Sequence, residues 1–299
     1  MKPPPFRYLR PATVDEAVEV LAALGDDGKV LAGGQSLVPM LNMRLAAPAN
    51  LVDINRVAGL AYVVADGSGV RVGAAARHAD VERDAAASRQ VPLLRRALRS
   101  VAHPTIRNRG TTVGSIVHAD PAGEMTAVLA LLGGTVALAS TQGERSVGAE
   151  EFFVGPLESC LAEGELAVSA FFPRPPGRAG SAWLELARRH GDYAMCGVGA
   201  VVTLDGDSRV VGARAGYISV GPTPVVLDLT DAVHGASVEP DGAGADWEAA
   251  GRLAQAGVEP EADIHATAEY RRHLVGVLTA RALRAAAADA AGQDAEDAR

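Results

Sequence analysis

Two loops carry the residue types best suited to holding an anion. The first is Ala32-Gly33-Gly34-Gln35-Ser36-Leu37, directly after the short apolar run that starts at Lys29. A tight glycine turn behind a strand leaves backbone N–H groups unpaired and lets a ligand approach the main chain. That chemistry suits a phosphate, with the Ser36 hydroxyl as an added donor. The same glycine pair also fits an ordinary strand-to-helix connection. The second loop, Thr105–Glu124, reads TIRNRGTTVGSIVHADPAGE. It offers Thr111, Thr112, Val113, Gly114 and Ser115 as another hydroxyl-and-glycine turn, and then His118, Asp120 and Glu124. Two such loops suit the two halves of one pyrophosphate. Neither is G-x-G-x-x-G and neither has the Gly-Lys-Ser/Thr of a P-loop, so a Rossmann or P-loop reading lacks support.

Other candidates have structural readings beside the functional ones. Arg107 and Arg109 either neutralise a pyrophosphate or hold the second loop to its sheet. Asp120 and Glu124 are acceptors for sugar hydroxyls, or helix N-terminal caps. Asp192 and Tyr193 stand in a Gly-Asp-Tyr-Ala turn, where the ring is either core or a stacking surface. His103, His118 and His190 show no metal-helix spacing, so no metal site is expected. No Ser–His–Asp order, paired carboxylates or local Cys–His pair is present, so no acid–base or nucleophilic catalyst is assigned. The two cysteines, Cys160 and Cys196, cannot supply the four ligands of an iron–sulfur cluster or an all-Cys zinc site. They read as reduced, buried thiols. The net charge of −8 argues against nucleic acid. The N-terminus MKPPPFRYLRP has no signal-peptide core, and no run approaches a membrane span, so a cytoplasmic location without a transmembrane segment is expected.

Stepping outward, the elements that position these loops are legible. Thr13-Val14-Asp15-Glu16 is a capping box ahead of a helix over Thr13–Leu24, with Gly25 as its stop. A second short helix is expected over Leu37–Arg44, and a strand at Leu51–Ile54. Leu60–Ala65 and Val70–Ala74 flank a hairpin turn at Asp66-Gly67-Ser68-Gly69. Helices are read at His78–Ala87, Pro92–Val101 and Met125–Leu132. A hairpin is read about Gly143, and a strand at Leu166–Phe172. Pro173-Arg174-Pro175-Pro176-Gly177 is the clearest linker. Beyond it, Ser181–Arg188, Gly197–Leu204 and Val210–Val220 read as three antiparallel strands. Helical segments follow at Asp228–Val233, Trp247–Ala256 and, Ala-rich, Thr267–Ala287. The charged stretch 291–299 is expected to be a disordered tail.

The quoted motifs resemble a known family. AGGQS at Ala32–Ser36 with LVDINR, the run RNRGTTVGS…HADPAGE, ARRHGDYAMCGVGA (Ala187–Ala200) and EYRRHL (Glu269–Leu274) are similar to the FAD-binding medium subunit of molybdenum hydroxylases, the group of xanthine dehydrogenase and aerobic carbon monoxide dehydrogenase. The resemblance implies an α+β fold. A two-lobed FAD domain of the p-cresol methylhydroxylase/vanillyl-alcohol oxidase type would cover 1–175, with lobes at about 1–57 and 58–175. A three-stranded antiparallel sheet with a helical bundle would cover 176–290. It also implies FAD held by Ala32–Leu37, Thr111–Ser115, His118, Asp120 and Glu124. Leu166 and Ala167 would lie near the ring, although Ala-Val-Ser here departs from a bulkier pattern. Asp192 and Tyr193 would shield the flavin. Where the family's second loop has a further glycine, this chain has Val113, so the backbone would reach the phosphate there without a freely left-handed residue. The implied activity is electron transfer in an oxidoreductase complex. Molybdopterin would sit on a large partner subunit and [2Fe–2S] clusters on a small one, in a dimer of heterotrimers. A stand-alone FAD-dependent oxidase or reductase remains open, as does an assembly module that has lost FAD.

Overall fold

The computed structural model describes residues 2–238 and 244–292. In chain order the elements begin with β1 (Arg7–Leu9), α1 (Val14–Leu24), β2 (Gly28–Leu31), α2 (Leu37–Met43), β3 (Asn50–Asp53), β4 (Val63–Asp66) and β5 (Gly69–Gly73). Helices α3 (His78–Arg83), α4 (Ala85–Gln90), α5 (Pro92–Leu98), α6 (Pro104–Arg107), α7 (Thr112–His118) and α8 (Glu124–Leu132) follow. Then come β6 (Thr135–Ser140), β7 (Gly143–Gly148), α9 (Ala149–Phe152), β8 (Phe153–Gly155), β9 (Glu158–Ser159) and β10 (Leu166–Pro173). The chain finishes with β11 (Arg178–Ala187), β12 (Ala194–Leu204), β13 (Val210–Ile218), β14 (Val225–Asp228), α10 (Trp247–Ala256) and α11 (Ala268–Ala291). Among the described residues no helix is long and apolar enough to cross a membrane.

The chain divides into two units. The first holds everything up to Gln90, together with His103–Asp120 and Gly133–Pro173. The second holds Val91–Ala102, Pro121–Leu132 and the chain from Arg174 on.

Beside the two-stranded ribbon β8-β9, the first unit has two larger sheets. The smaller is wholly parallel, in the order β1-β3-β2. The larger is antiparallel, in the order β4-β5-β10-β6-β7. Parallel neighbours need a crossover, and α2 supplies it between β2 and β3. Helix α1 starts where the capping box places it: Thr13 Oγ1 accepts from Glu16 N at 3.1 Å, and Glu16 Oε2 accepts from Ala12 N at 2.6 Å. Its buried face, Ala17, Val18 and Leu21, packs on β6 and β10 as well as on β3 and β2. The helix expected over His78–Ala87 is two helices. Asp84 between them is extended (φ −69°, ψ 114°), and its carboxylate accepts from Ala87 N at 2.8 Å. A short carboxylate that bonds the backbone locally competes with helix continuation.

In the second unit the three expected strands form, and a fourth joins them. The order is β11-β12-β13-β14, antiparallel throughout. The added strand is Val225-Val226-Leu227-Asp228, apolar and largely β-branched, which favours the sheet. The helical turn expected from Asp228 shrinks to a short 3₁₀ turn at Thr230–Ala232. Helix α11 continues to Ala291 and stops at Gly292, whose φ of 81° ends it in the left-handed conformation. Of the expected tail, residues 293–299 lie outside the described residues.

The alanines and glycines of this unit set its packing distances. Gly180 on β11 lies against the backbone of α11. A Cβ there would stand 2.1 Å from Ala290 N and 2.2 Å from Ala286 O. Beside it, Arg96 of α5 makes a two-pronged ion pair with Asp289 at 2.6 and 2.7 Å, and Asp289 also accepts from Ser181 N at 2.8 Å. Burial alone would raise the Asp289 carboxyl. The Arg96 and Ser181 donors outweigh it and hold the group below the usual carboxylate range. Gly180→Ala has no free volume to enter, so it is expected to destabilise the chain by about 3 kcal/mol, the upper range for overpacking. The urea midpoint of the purified variant measures this.

Candidate cofactor site

The first loop leaves the carboxyl end of β2, the end of a parallel sheet where ligands bind in open α/β folds. Gly34 has φ 72°, a region that side chains with a Cβ rarely adopt, and there it turns the chain into α2. Gly33 has a different use. A Cβ on it would stand 2.5 Å from Arg109 O, 2.6 Å from Gly110 Cα and 2.9 Å from Thr111 N. The two loops therefore meet main chain to main chain, at Gly33. Asn55 Nδ2 donates to Ala32 O at 2.8 Å, and Gln35 Nε2 donates to Gly33 O at 3.1 Å, so the carbonyls of the turn are used internally. Among the described residues no acceptor receives the N–H groups of Gly33, Gly34, Gln35, Ser36 or Leu37. Ser36 occupies the cap position of α2 without a capping side-chain bond.

The second loop opens helix α7. Thr111 is its cap, buried, with Oγ1 accepting from Gly114 N at 3.1 Å. Gly114 is needed for that contact, because a Cβ on it would stand 2.4 Å from Thr111 Oγ1. Val113 stands where the family has a glycine. It lies within α7 with its side chain buried and is not among the residues with positive φ, so no glycine is required there. Ser115 is half-buried on the same helix, and His118 ends it ahead of Ala119, which is left-handed at φ 52°.

Arg77 and His78, with Asp53 and Asn55 of the LVDINR run, hold this pair of loops. Arg77 Nη2 donates to Asn55 Oδ1 at 2.6 Å, and its Nη1 donates to Arg109 O at 2.5 Å. Arg77 thereby ties the second loop to the residue that anchors the first. Asp53 fixes Asn55 in turn, accepting from its backbone N at 2.9 Å and its Nδ2 at 2.5 Å. The Tyr8 hydroxyl also donates to Asp53. Burial would raise the Asp53 carboxyl, but these donors hold it below its ordinary value. His78 lies beneath the second loop. Its backbone N donates to Gly110 O at 2.9 Å, and its Nδ1 is 3.2 Å from Thr112 Oγ1. Of the two candidate arginines, Arg107 is buried and paired with Glu82 at 2.8 Å, so it serves the scaffold, while Arg109 is exposed.

The remaining predicted residues are placed as follows. Leu166 and Ala167 are buried on β10, paired with Ala139 and Leu138 of β6, just before a bulge. Asp120 ends the His103–Asp120 segment of the first unit, half-buried. Glu124, Asp192 and Tyr193 belong to the second unit. Glu124 begins α8, and Asp192 and Tyr193 form the turn between β11 and β12, with Tyr193 66% exposed. The structure thus joins Ala32–Leu37 and Thr111–Ser115 in one double loop. Arg77 and His78 were not singled out from sequence, since nothing in their local pattern separates them from ordinary polar residues, and Asn55 was quoted only as part of LVDINR.

A run of free amides pinched by two glycines, and a helix opening beside it, form a donor set that fits a pyrophosphate. Together with the parallel and antiparallel lobes, this defines a flavin-binding domain. The comparisons agree. The family described as the FAD binding domain in molybdopterin dehydrogenase matches residues 4–175, and that described as the CO dehydrogenase flavoprotein C-terminal domain matches residues 181–286. Subunit alpha of the 6-hydroxypseudooxynicotine dehydrogenase complex of Paenarthrobacter nicotinovorans is 39% identical, over 95% of each chain. Among solved structures, a carbon monoxide dehydrogenase of Hydrogenophaga pseudoflava lacking the Mo-pyranopterin moiety superposes with TM-score 0.88 at 34% identity, over 97% of this chain and 99% of that one. Quinoline 2-oxidoreductase of Pseudomonas putida 86 gives 0.88 at 35%, over 98% and 99%. The chain belongs to the FAD-binding medium subunits of molybdenum hydroxylase-type dehydrogenases; FAD is its cofactor, and it is an oxidoreductase subunit.

Burial, and then the Arg107 charge, push the His78 imidazole down to about 4. The unfolded chain takes up this proton below about 6.5 and the folded chain resists it to about 4. The fold is therefore at its full His78-dependent stability above the unfolded value. It loses that stability as pH falls through the window to the folded value. His78→Asn removes the titration. Between pH 7 and 4 the wild type should lose about 3 kcal/mol more than the variant. Denaturant unfolding at both pH values checks this.

Proposed function

We propose that this chain carries electrons within a multi-subunit molybdenum hydroxylase, from [2Fe–2S] clusters on a small partner subunit, through FAD, to an external acceptor. Bound FAD supplies the redox chemistry, and the chain binds it, orients it and limits access to it. The observation that carries this reading is the double loop: five consecutive amides without an internal acceptor, held against a second loop by Gly33. Two cysteines cannot ligate a cluster, so the clusters belong to another chain in this reading. Relatives named for carbon monoxide, quinoline and a nicotine derivative match this chain over nearly its whole length, at 34–39% identity. Similarity that does not follow substrate suits a subunit that never touches it. A cytoplasmic dimer of heterotrimers is the assembly this reading expects.

In this reading the Gly33–Leu37 amides and the Thr111–Ser115 turn hold the diphosphate. His118 and Asp120 hold its flanks, Glu124 accepts from sugar hydroxyls, and Leu166 and Ala167 back the ring from their strand. Asp192 and Tyr193 cover the flavin face where an acceptor would approach.

Two variants test it. Gly34→Val forces a β-branched residue to φ 72°, with its Cβ 3.1 Å from both Leu31 Cδ1 and Val38 Cγ2. It is expected to lose FAD on desalting, read at 450 nm, with far-ultraviolet circular dichroism unchanged; full retention of flavin would refute the loop assignment. Tyr193→Ala removes an exposed ring, so the fold should tolerate it. In the assembled complex, stopped-flow traces should show substrate reduction of the molybdenum centre unchanged and O₂ reoxidation of the flavin faster. A change confined to the substrate half-reaction, or to neither half, makes Tyr193 an ordinary surface residue.

A further inference from the structure

The EYRRHL motif finds no use in the double loop, yet its Arg271 is one of the few buried charges of the second unit. Its Nη2 pairs with Asp263 Oδ2 at 2.6 Å, and its Nη1 donates to Ser219 O at 2.6 Å. Its Nε is buried with no acceptor among the described residues. A buried ion pair with an unsatisfied donor is a poor source of stability, since an apolar side chain of similar volume usually serves as well. The geometry of its partners explains it better.

Ser219 spends all three of its polar groups on three different segments. Its carbonyl accepts from Arg271, its N–H donates to Pro121 O at 2.9 Å, and its Oγ donates to Ala194 O at 2.7 Å. It does so at φ 63°, a left-handed conformation uncommon for serine. Pro121 opens the Pro-Ala-Gly-Glu turn that ends at Glu124, and Ala194 directly follows Tyr193. Arg271 is itself fixed by Asp263, whose Oδ1 accepts from His265 N at 2.8 Å and Ala266 N at 3.0 Å. Two donors pointing in different directions from one rigid plane are what guanidinium offers and ammonium does not.

We propose that Arg271 is a positioning residue for the flavin: through Ser219 it sets both the turn that carries Glu124 and the strand start that carries Tyr193. This rests on the FAD reading above. Arg271 touches none of the proposed flavin contacts itself. It acts by holding Ser219 in its strained conformation, so that one side chain fixes a sugar-binding acceptor and a ring cover together.

The full-length chain tests this with two variants. Arg271→Met keeps volume and removes both donors. It should speed hydrogen exchange at the Ser219 amide in the FAD-free chain and raise the Kd for FAD, by fluorescence titration, about tenfold, the loss of one charged hydrogen bond. Arg271→Lys keeps a charged donor but not the two-pronged plane, and should restore only part of that affinity. Ser219→Gly suits the positive φ and deletes only the bond to Ala194. Its melting temperature should hold or rise, while O₂ reoxidation of its dithionite-reduced flavin should change by about threefold or more, as loss of one neutral hydrogen bond implies. If Arg271→Met does not fold, Ser219→Gly carries the test alone. A folded Arg271→Met with wild-type Kd, or a Ser219→Gly with wild-type reoxidation, overturns the proposal and leaves the FAD reading intact. A wild-type chain that takes up no FAD overturns both.

Discussion

The close approach of two main chains at Gly33 is the constraint on which the cofactor site depends. Residues about 75 positions apart in sequence meet there with no side chain between them, and a single methyl group would stand 2.5 Å from a carbonyl oxygen. Side chains could not produce this spacing, because they would fill it. They secure it from the sides. Asn55 takes the Ala32 carbonyl, Arg77 bridges Asn55 to the Arg109 carbonyl, and Asp53 holds Asn55. With the turn's carbonyls engaged, its N–H groups are left without an acceptor among the described residues. The donor set for an anion follows from where the acceptors were used.

The same economy shapes the second unit. Gly180 lets β11 meet the backbone of α11, and Gly251 packs on Gly276 O, where a Cβ would stand 2.5 Å away. Gly199 and Gly216 leave room for Leu131 of α8 against β12 and β13. A composition with only 4% aromatic residues reaches close packing this way, by bringing backbones together rather than by interlocking large side chains. The long Ala-rich helix is the consequence: Ala282, Ala286, Ala287 and Ala290 are buried on it, and larger residues would lift it off the sheet.

Most of this was legible wherever chemistry is local. The cap at Thr13, the hairpin turn at Asp66 and the glycine loops are written in adjacent residues, and the elements stand where those residues place them. The motifs of the double loop and of the Tyr193 turn were read in the same way. The side-chain ties that escaped share one physical cause. Arg77, His78 and Ser219 act through partners 22 to 98 residues away, and no local pattern marks a side chain whose importance lies in where its partner ends up. Val113 stands where the family has a glycine, yet its helical position asks nothing of φ that valine cannot supply, and its side chain fills core. The fourth strand was missed because two prolines precede it, and breaker residues hide a short strand that starts just after them.

The choice of cation follows the same logic. Only Lys2 and Lys29 are lysines among 28 basic residues. Genome composition explains a bias, but not the tasks the arginines perform. Arg77 bonds two loops, Arg96 takes a carboxylate with two prongs and a serine besides, Arg178 reaches Ala290 O and Ser208 Oγ, and Arg271 joins an aspartate to a strained carbonyl. In each case one planar group fixes two segments at once. A chain whose packing relies on backbones in contact has little slack in side chains to absorb misregister, so its long-range ties must be directional. A rigid, always-charged fork meets that demand where a flexible ammonium would not. The arginines are in this sense the counterpart of the glycines: one set lets the segments approach, and the other fixes how they lie once they have.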